Sequence, residues 1–559
     1  MADNGATATT PACRPVTPIG FPQNPGLPPL TFLPVAGFVI DSILPYETPI
    51  QFRIAEIVDL AVWNAISGFQ PAALDVFGRD VRYCVDGIPA GEIDRLTGYT
   101  ATLAFTYSAS LLIDAFPIDD VSATYEALGL GGLWNETIAP DFDSSQCSGT
   151  CAVSVAVLAR CATDEMVSYF ENDGWNSNGG LTSTFNRNPY EDFGFTDKSG
   201  ERYTPYSPQV NSEAKRAWTP LLESDSIGFF FEQQHVVPFI GFTGKNVLTK
   251  DRDRCQYYKD NQAPKPKYDY PEELQTLFET TRITAENNTE GDRRLAAVEI
   301  FDSKFTSILP AWIDYAVANG FDNWGFWSTQ TLLSTALYDG VILVWREKVI
   351  FDAIRPTTLA QTIGRGTAFT YAGPYGSNFG GPFVDGPEVI KQTEFEPVIR
   401  TMPHSEYPSA SACVCQAFFD ALADKLGSDS ITPPATLGIQ AGGTRNSPGL
   451  RPVEDVNLIF NLWSEMNTLC GQSRLFGGMH FTKAVPAGAN LCKNIGKSAS
   501  TAFAQLESGA LTEGLLDLDE THIRVCEEKP RPTKKPKRNK FKKFKKKIKK
   551  IWHKILHWQ

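Results

Sequence analysis

Two cations seven residues apart open the chemistry of this chain. In WREKVIFDAIRP, from Trp345 to Pro356, a helix would bring Lys348 and Arg355 to within roughly 20° of one heading, about 10 Å apart along the axis. Both would then face one spot. Trp345 and Asp352 would share that face, and Pro356 is expected to end the helix. Paired cations suit an oxyanion, although a solvated face on which Lys348 pairs with Asp352 has the same spacing.

A second stretch, MPHSEYPSASACVCQAFFDALADKL, places Ser409 as an N-cap before a strongly helical run opened by Ala410. The free N–H groups of such a first turn make an anion site, and small residues there let an oxyanion approach. An ordinary capped helix would read the same way. The third stretch is GQSRLFGGMHF, with Arg474 and His480. Arginine supplies a rigid, permanently charged fork, and histidine can be nucleophile, base or metal ligand.

In this order the three stretches resemble the superfamily shared by vanadium-dependent haloperoxidases and type 2 phosphatidic-acid phosphatases. Its signature is K-x6-RP, then PSGH, then SR-x5-H-x3-D. The chain reads Lys348 to Pro356, then Pro408-Ser409-Ala410-Ser411, then Ser473-Arg474 to His480. The resemblance spans about 345 to 485 and leaves the N-terminal half untouched. Trp345 is similar to the tryptophan that the fungal chloroperoxidases carry ahead of the lysine.

The resemblance implies that Lys348, Arg355 and Arg474 hold the equatorial oxygens of vanadate, with the Ser409 hydroxyl and the Ala410 N–H completing the cradle. It implies that His480 binds vanadium through one ring nitrogen, and that Lys348 polarises bound hydrogen peroxide for attack by halide. Hypohalous acid would be the product, bromide the expected halide, and no haem is required. The same pocket suits phosphate, so an acid-phosphatase-like hydrolase with His480 as nucleophile is the alternative.

Two departures bear on this. Ser411 stands where the superfamily has the histidine of PSGH, and Ala484 where it has the last aspartate. That histidine does the acid–base work, which a serine hydroxyl cannot do near neutral pH. A catalytically impaired oxyanion-binding member is therefore a further alternative. His404 lies seven residues before Ser411, the spacing at which the algal bromoperoxidases also carry a histidine beside the halide site. It is the expected substitute for proton transfer or halide orientation, with Glu406 a second candidate and Trp345 and Ser411 lining the pocket. Glu299 or Asp302 is the expected carboxylate partner of His480.

The elements that must position these residues read as helices. Apolar residues recur at three to four positions in 51–68, in the run ending SLLIDAF, in VSVAVLARCATDEMVSYFEND, and repeatedly from 271 onward. The 271–528 helices include one across VEDVNLIFNLWSEMNTLC and one from about His480 to Glu507. The expected fold is all-α, with long irregular loops between about 174 and 270. The expected organisation is an extended arm over 1–48, a helical region with long loops over 49–270, a bundle carrying the site over 271–528, and a basic tail over 529–559.

At 42% hydrophobic and 21% charged, the 559-residue chain has the composition of a globular protein. Residues from Lys529 onward carry fifteen Lys or Arg and no Asp or Glu, so the net −13 splits into a body of −28 and a tail of +15. An acidic body excludes a broad nucleic-acid footprint outside the tail. In the tail, Phe541, Phe544, Ile548, Ile551, Ile555 and Trp558 would form one apolar helical face amid lysines, a pattern suited to an anionic membrane surface or another polyanion. PTKKPKRNK within it also fits a nuclear-import segment. Eleven cysteines, Cys147, Cys151, Cys413 and Cys415 among them, are expected to be mostly buried or free, with room for one or two local bridges. The start shows no export signal and no run is long enough to span a bilayer. A cytoplasmic or peripheral-membrane location is expected, with secretion as the alternative. The organic acceptor and the oligomeric state are left open by the sequence.

Overall fold

The computed structural model describes residues 14–16, 32–85, 87–148, 153–180, 188–191, 217–224, 228–373, 386–518 and 526. Most of the expected arm, part of the irregular 174–270 stretch, Cys151 and the whole basic tail lie outside the described residues.

The fold is all-α, with only short two-stranded sheets among the described residues. Its axis is the helix Asn323–Phe351, capped at its start by Asp322, whose side chain accepts from the Gly325 N–H. This helix is buried on nearly every side, which is why its sequence lacks a clear polar face. On one side it packs against Thr48–Ile66, which with Ala90–Leu112 and Val155–Phe170 makes one helical layer. On the other it packs against Ala410–Leu426 and Ile495–Glu507, joined there by Trp463–Phe476 and Ala484–Cys492.

The polar residues of the axis are matched one by one. Asp339 accepts from the N–H groups of Val247 and Leu248, Thr335 donates to Glu56, and Ser334 and Gln330 donate to Asp59. Burial pushes the Asp59 and Asp339 carboxyls up to about 6, and raises Glu56 well above the usual carboxylate range. A carboxyl raised by folding contributes full stability below its unfolded pKa and loses it as pH climbs through the folded value. Asp59→Asn should therefore gain stability relative to the parent between about pH 4 and pH 7, by about 2–3 kcal/mol. Urea denaturation at the two pH values reads that gap, and a constant gap would contradict it.

Four expectations are corrected. The segment 345–356 is not one helix: it stops at Phe351, Asp352 takes a left-handed conformation with φ 45°, and Pro356 begins a new helix, Pro356–Ile363. Proline is pre-set for a first helical position, so the residue read as a stop is a start. The stretch from Val453 is not helical throughout, because Val456–Leu462 is a strand paired with Ser430–Ile439, burying Leu458 and Phe460 in alternation before the helix Trp463–Phe476 begins. The run from His480 to Glu507 is two helices broken after Cys492. Nor are the cysteines mostly free. Cys147–Cys161, Cys413–Cys492 and Cys415–Cys470 are disulfides, the latter two closing loops of 79 and 55 residues, and Cys84 and Cys255 are disulfide-bonded too. Sequence spacing could not show pairings that helix packing creates.

Candidate active site

Three backbone breaks build the site. After the left-handed turn at Asp352, Arg355 caps Pro356–Ile363 with its side chain wholly buried. Ser409 caps Ala410–Leu426, its hydroxyl accepting from the Ala412 N–H at 3.4 Å while its own N–H donates to the Ala484 carbonyl. Gly488 lets the next helix seat there, since a Cβ at that position would lie 2.1 Å from the Ser409 carbonyl oxygen. Arg474 lies in the last turn of Trp463–Phe476, and His480 follows the Gly477-Gly478 turn.

These elements enclose a cavity of about 40 Å³ lined by Trp345, Arg355, His404, Ser411, Arg474 and His480, with Ala410, Asp302 and Lys304 on its wall. The volume accommodates a few water-sized spheres, which is the bulk of a tetrahedral anion. Lys348 stands just behind the wall, its ammonium donating to the carbonyls of Ser405 at 2.7 Å and Glu406 at 3.2 Å. One of its three N–H groups remains for another acceptor. Ala410 lines the cavity and Ser409 does not.

Charge at this spot is under-compensated. Burial, then the neighbouring Arg355, depresses Lys348 far below its usual range, and burial also lowers Arg355 and Arg474. Of the three cations expected to converge, Arg355 and Arg474 line the cavity and Lys348 lies behind it, near enough for its charge to be opposed by both. Arg474 has only a long 3.5 Å contact to Asp302, and its Nε is buried with no hydrogen-bond partner among the described residues. Such an orphan is costly unless an acceptor arrives, so the donor set fits an oxyanion.

His480 faces the cavity with a fixed ring. Its Nδ1 lies 3.1 Å from Glu406 Oε1, and the same oxygen accepts the Phe481 N–H at 3.0 Å, while Tyr268 donates to Oε2. With Nδ1–H donating to Glu406, Nε2 keeps its lone pair for a metal or an electrophile. Burial pushes Glu406 up to about 7, against the pull of the Phe481 N–H, Lys348 and Arg355. The expected partners, Glu299 and Asp302, are elsewhere: both bind Arg445, and Asp302 also faces Arg474. The expectation is corrected accordingly, since Glu406, expected only as a proton carrier, is the carboxylate that orients His480. The one signal for it in the sequence is its place two residues ahead of Pro408, beside the second motif.

His404 lies against Trp345, ring centroids 4.8 Å apart, and its Nδ1 is 2.9 Å from Arg355 Nη2. The Arg355 Nε also donates to the His404 carbonyl at 2.7 Å. Burial first, then Lys348 and Arg355, keep this imidazole neutral far below its usual range. As a neutral ring it can accept from the Arg355 guanidinium.

One further residue on the cavity wall lies outside the motifs altogether. Lys304, on the turn after Thr289–Ile300, is buried and donates to the Ser411 hydroxyl at 3.0 Å and to the Phe301 carbonyl at 2.7 Å. Burial, then Arg474, bring its ammonium down to about 7. A lysine whose ammonium is lowered toward neutrality thus touches Ser411. Its only sequence signal is a lone lysine in FDSKF, far from the three motifs.

Residues 328–509 match the family model described as VCPO second helical-bundle domain, a span that holds every site residue named from the motifs but not Lys304 or Tyr268. The fold is similar to that of a holo-type bacterial vanadium-dependent chloroperoxidase, at 21% identity and a TM-score of 0.67, over 87% of this chain and 95% of that one. It is also similar to the first bacterial vanadium-dependent iodoperoxidase, at 16% identity and a TM-score of 0.55, over 86% and 97% of the two chains. No curated protein matches the chain.

Proposed function

Because the chain carries the fold of the vanadium haloperoxidases, we propose that it is a vanadate-dependent haloperoxidase, oxidising bromide with hydrogen peroxide to hypobromous acid. The observation that carries this reading is that Arg355, Arg474 and His480 line one small buried cavity, with Lys348 close behind it and the Arg474 Nε buried with no hydrogen-bond partner among the described residues. Arg355, Arg474 and the third N–H of Lys348 would hold the oxygens of vanadate, and His480 would ligate vanadium. Vanadate, when bound there, supplies a Lewis acid that activates peroxide at constant oxidation state.

The chain's own residues supply the proton traffic. Neutral Lys304 can take the proton of the Ser411 hydroxyl, which in turn takes one from peroxide entering the cavity, and the ammonium returns it by the reverse path. A pKa of about 7 keeps both forms populated at neutral pH, the condition general acid–base catalysis favours. His404 keeps Arg355 aimed and, with Trp345, walls the side on which halide would approach. The paired cysteines favour an oxidising compartment over the cytoplasm.

Loading the protein with vanadate, dialysing, measuring bound vanadium, and assaying bromination with peroxide tests this reading. Stoichiometric vanadium with peroxide-dependent bromination supports it. Turnover of p-nitrophenyl phosphate that vanadate inhibits, without bromination, would instead establish the hydrolase with His480 as nucleophile.

A further inference from the structure

A hydrogen-bonded clamp reaches the oxyanion site from a part of the chain that carries none of the three motifs. The antiparallel pair Leu222–Ser224 and Phe230–Glu232 stands on two legs, Trp218 ahead of its first strand and Gln233 to Val236 behind its second. Each leg meets a backbone segment that carries site residues. The Trp218 N–H donates to the Asp352 carbonyl at 3.1 Å, in the left-handed turn between Lys348 and Arg355. The second leg runs beside residues 401–405. Gln233 Nε2 donates to the Thr401 carbonyl at 2.7 Å, the Val236 N–H to the Pro403 carbonyl at 3.0 Å, and Trp345 Nε1 to the Val236 carbonyl at 2.9 Å. The His235 ring packs edge-on to Trp218, centroids 5.2 Å apart, so the legs also meet each other.

We propose that His235 is a positioning residue of this site, its Nε2 accepting the Ser405 N–H and so fixing the peptide whose carbonyl holds Lys348. The proposal rests on the oxyanion site of the haloperoxidase reading. Ser405 is wholly buried and bound at three atoms. Its N–H donates to His235 Nε2 at 3.4 Å, its carbonyl accepts from Lys348 Nζ at 2.7 Å, and its hydroxyl accepts the Ala353 N–H at 2.8 Å. The first bond is long, yet a buried N–H is costly to leave without an acceptor.

The chemistry of His235 suits that task. Its Nδ1 lies 3.1 Å from the Val236 carbonyl, an approach that only an N–H can use, so Nε2 carries the lone pair. Burial brings the ring down to about 3, which keeps it a neutral acceptor across the working range. Val237, the next residue, has φ 35°, a conformation that β-branched residues rarely adopt. Such strain persists where the surroundings over-determine it. With Ser405 and Glu406 held, Lys348 gives them two of its N–H groups and aims the third. Charge fixed before the anion arrives loses less freedom on binding.

Calorimetric titration of the full chain with inorganic phosphate and with vanadate, without peroxide or halide, reads the site apart from turnover. His235→Leu should bind both anions about ten-fold more weakly, as when a group supporting a metal-binding residue is removed. His235→Asn, whose amide reaches only the Nδ1 position, should lose as much and keeps the test open if the leucine variant does not fold. His235→Gln, whose Oε1 can stand where Nε2 stands, should stay within about two-fold of the parent. Val121→Ala, a core truncation in the helix Ile118–Ala127, which lines neither cavity nor clamp, should lower the urea midpoint and leave both affinities unchanged. Parent-like binding in His235→Leu or His235→Asn, a His235→Gln as weak as either, or an equal loss in Val121→Ala would overturn the role of His235. A parent that binds both anions with this variant pattern but never brominates would support that role and remove the haloperoxidase reading, whereas a parent that binds neither anion would remove both.

Discussion

Lys304→Met is expected, on the proposed haloperoxidase reading, to lower kcat for bromide oxidation by about 10²–10⁴-fold, the usual contribution of a positioned proton carrier, while the protein remains folded. The substitution replaces a buried ammonium by an apolar chain of similar volume, an exchange that is commonly neutral or stabilising. Here it should stabilise. The ammonium is depressed to about 7 by burial, so the stability tied to Lys304 is present at high pH and is lost as pH falls from the ordinary lysine range through that value. The parent thus carries its full cost below neutrality and the methionine variant does not. The rate should lose its dependence on a group near pH 7 as well. Ser411→Ala should reproduce the loss of rate, because the proposed relay runs through that hydroxyl, which Lys304 meets at 3.0 Å. A kcat–pH profile for parent and variant checks this, and a variant that keeps its rate and its neutral-pH limb would assign the proton work elsewhere.

Vanadate affinity should drop about 10–100-fold in Glu406→Gln, the range typical when the partner of a metal-binding histidine is altered. Glu406 fixes Nδ1 of His480 as the protonated nitrogen, and its carboxylate opposes Lys348 and Arg355. A glutamine can present its N–H to Nδ1, which moves the ring proton to Nε2 and blocks the ligating lone pair. The same logic gives a pH dependence in the parent. Burial raises Glu406 to about 7, so below that pH the carboxyl is protonated and offers its own hydrogen to Nδ1. Retained vanadium should therefore fall as pH drops through about 7. In Glu406→Gln it should be low and flat across the same range. Vanadium measured after dialysis at a series of pH values separates the outcomes, and unchanged retention in the variant would show that His480 is oriented by something else.

The motif residues themselves were legible. Lys348, Arg355, Arg474 and His480 could be singled out as candidates because residue type and short-range spacing are properties of the chain, and helices such as the one that carries Arg474 could be expected from apolar periodicity. What the sequence could not determine is every relation between segments far apart along it. That His480 leans on Glu406, 74 residues away, that Lys304 reaches Ser411 across 107 residues, and that cysteines 55 and 79 residues apart join are consequences of helix packing. Even the local misreading of Pro356 has this origin. Its ring is compatible with ending one helix or starting the next, and the Asp352 backbone, whose carbonyl accepts from the Trp218 N–H, sits at a turn that only the surrounding fold holds in place. The sequence decided which groups are present and what charge they bring, and the tertiary structure decided which of them touch, since contact energies depend on distances that one-dimensional spacing does not contain.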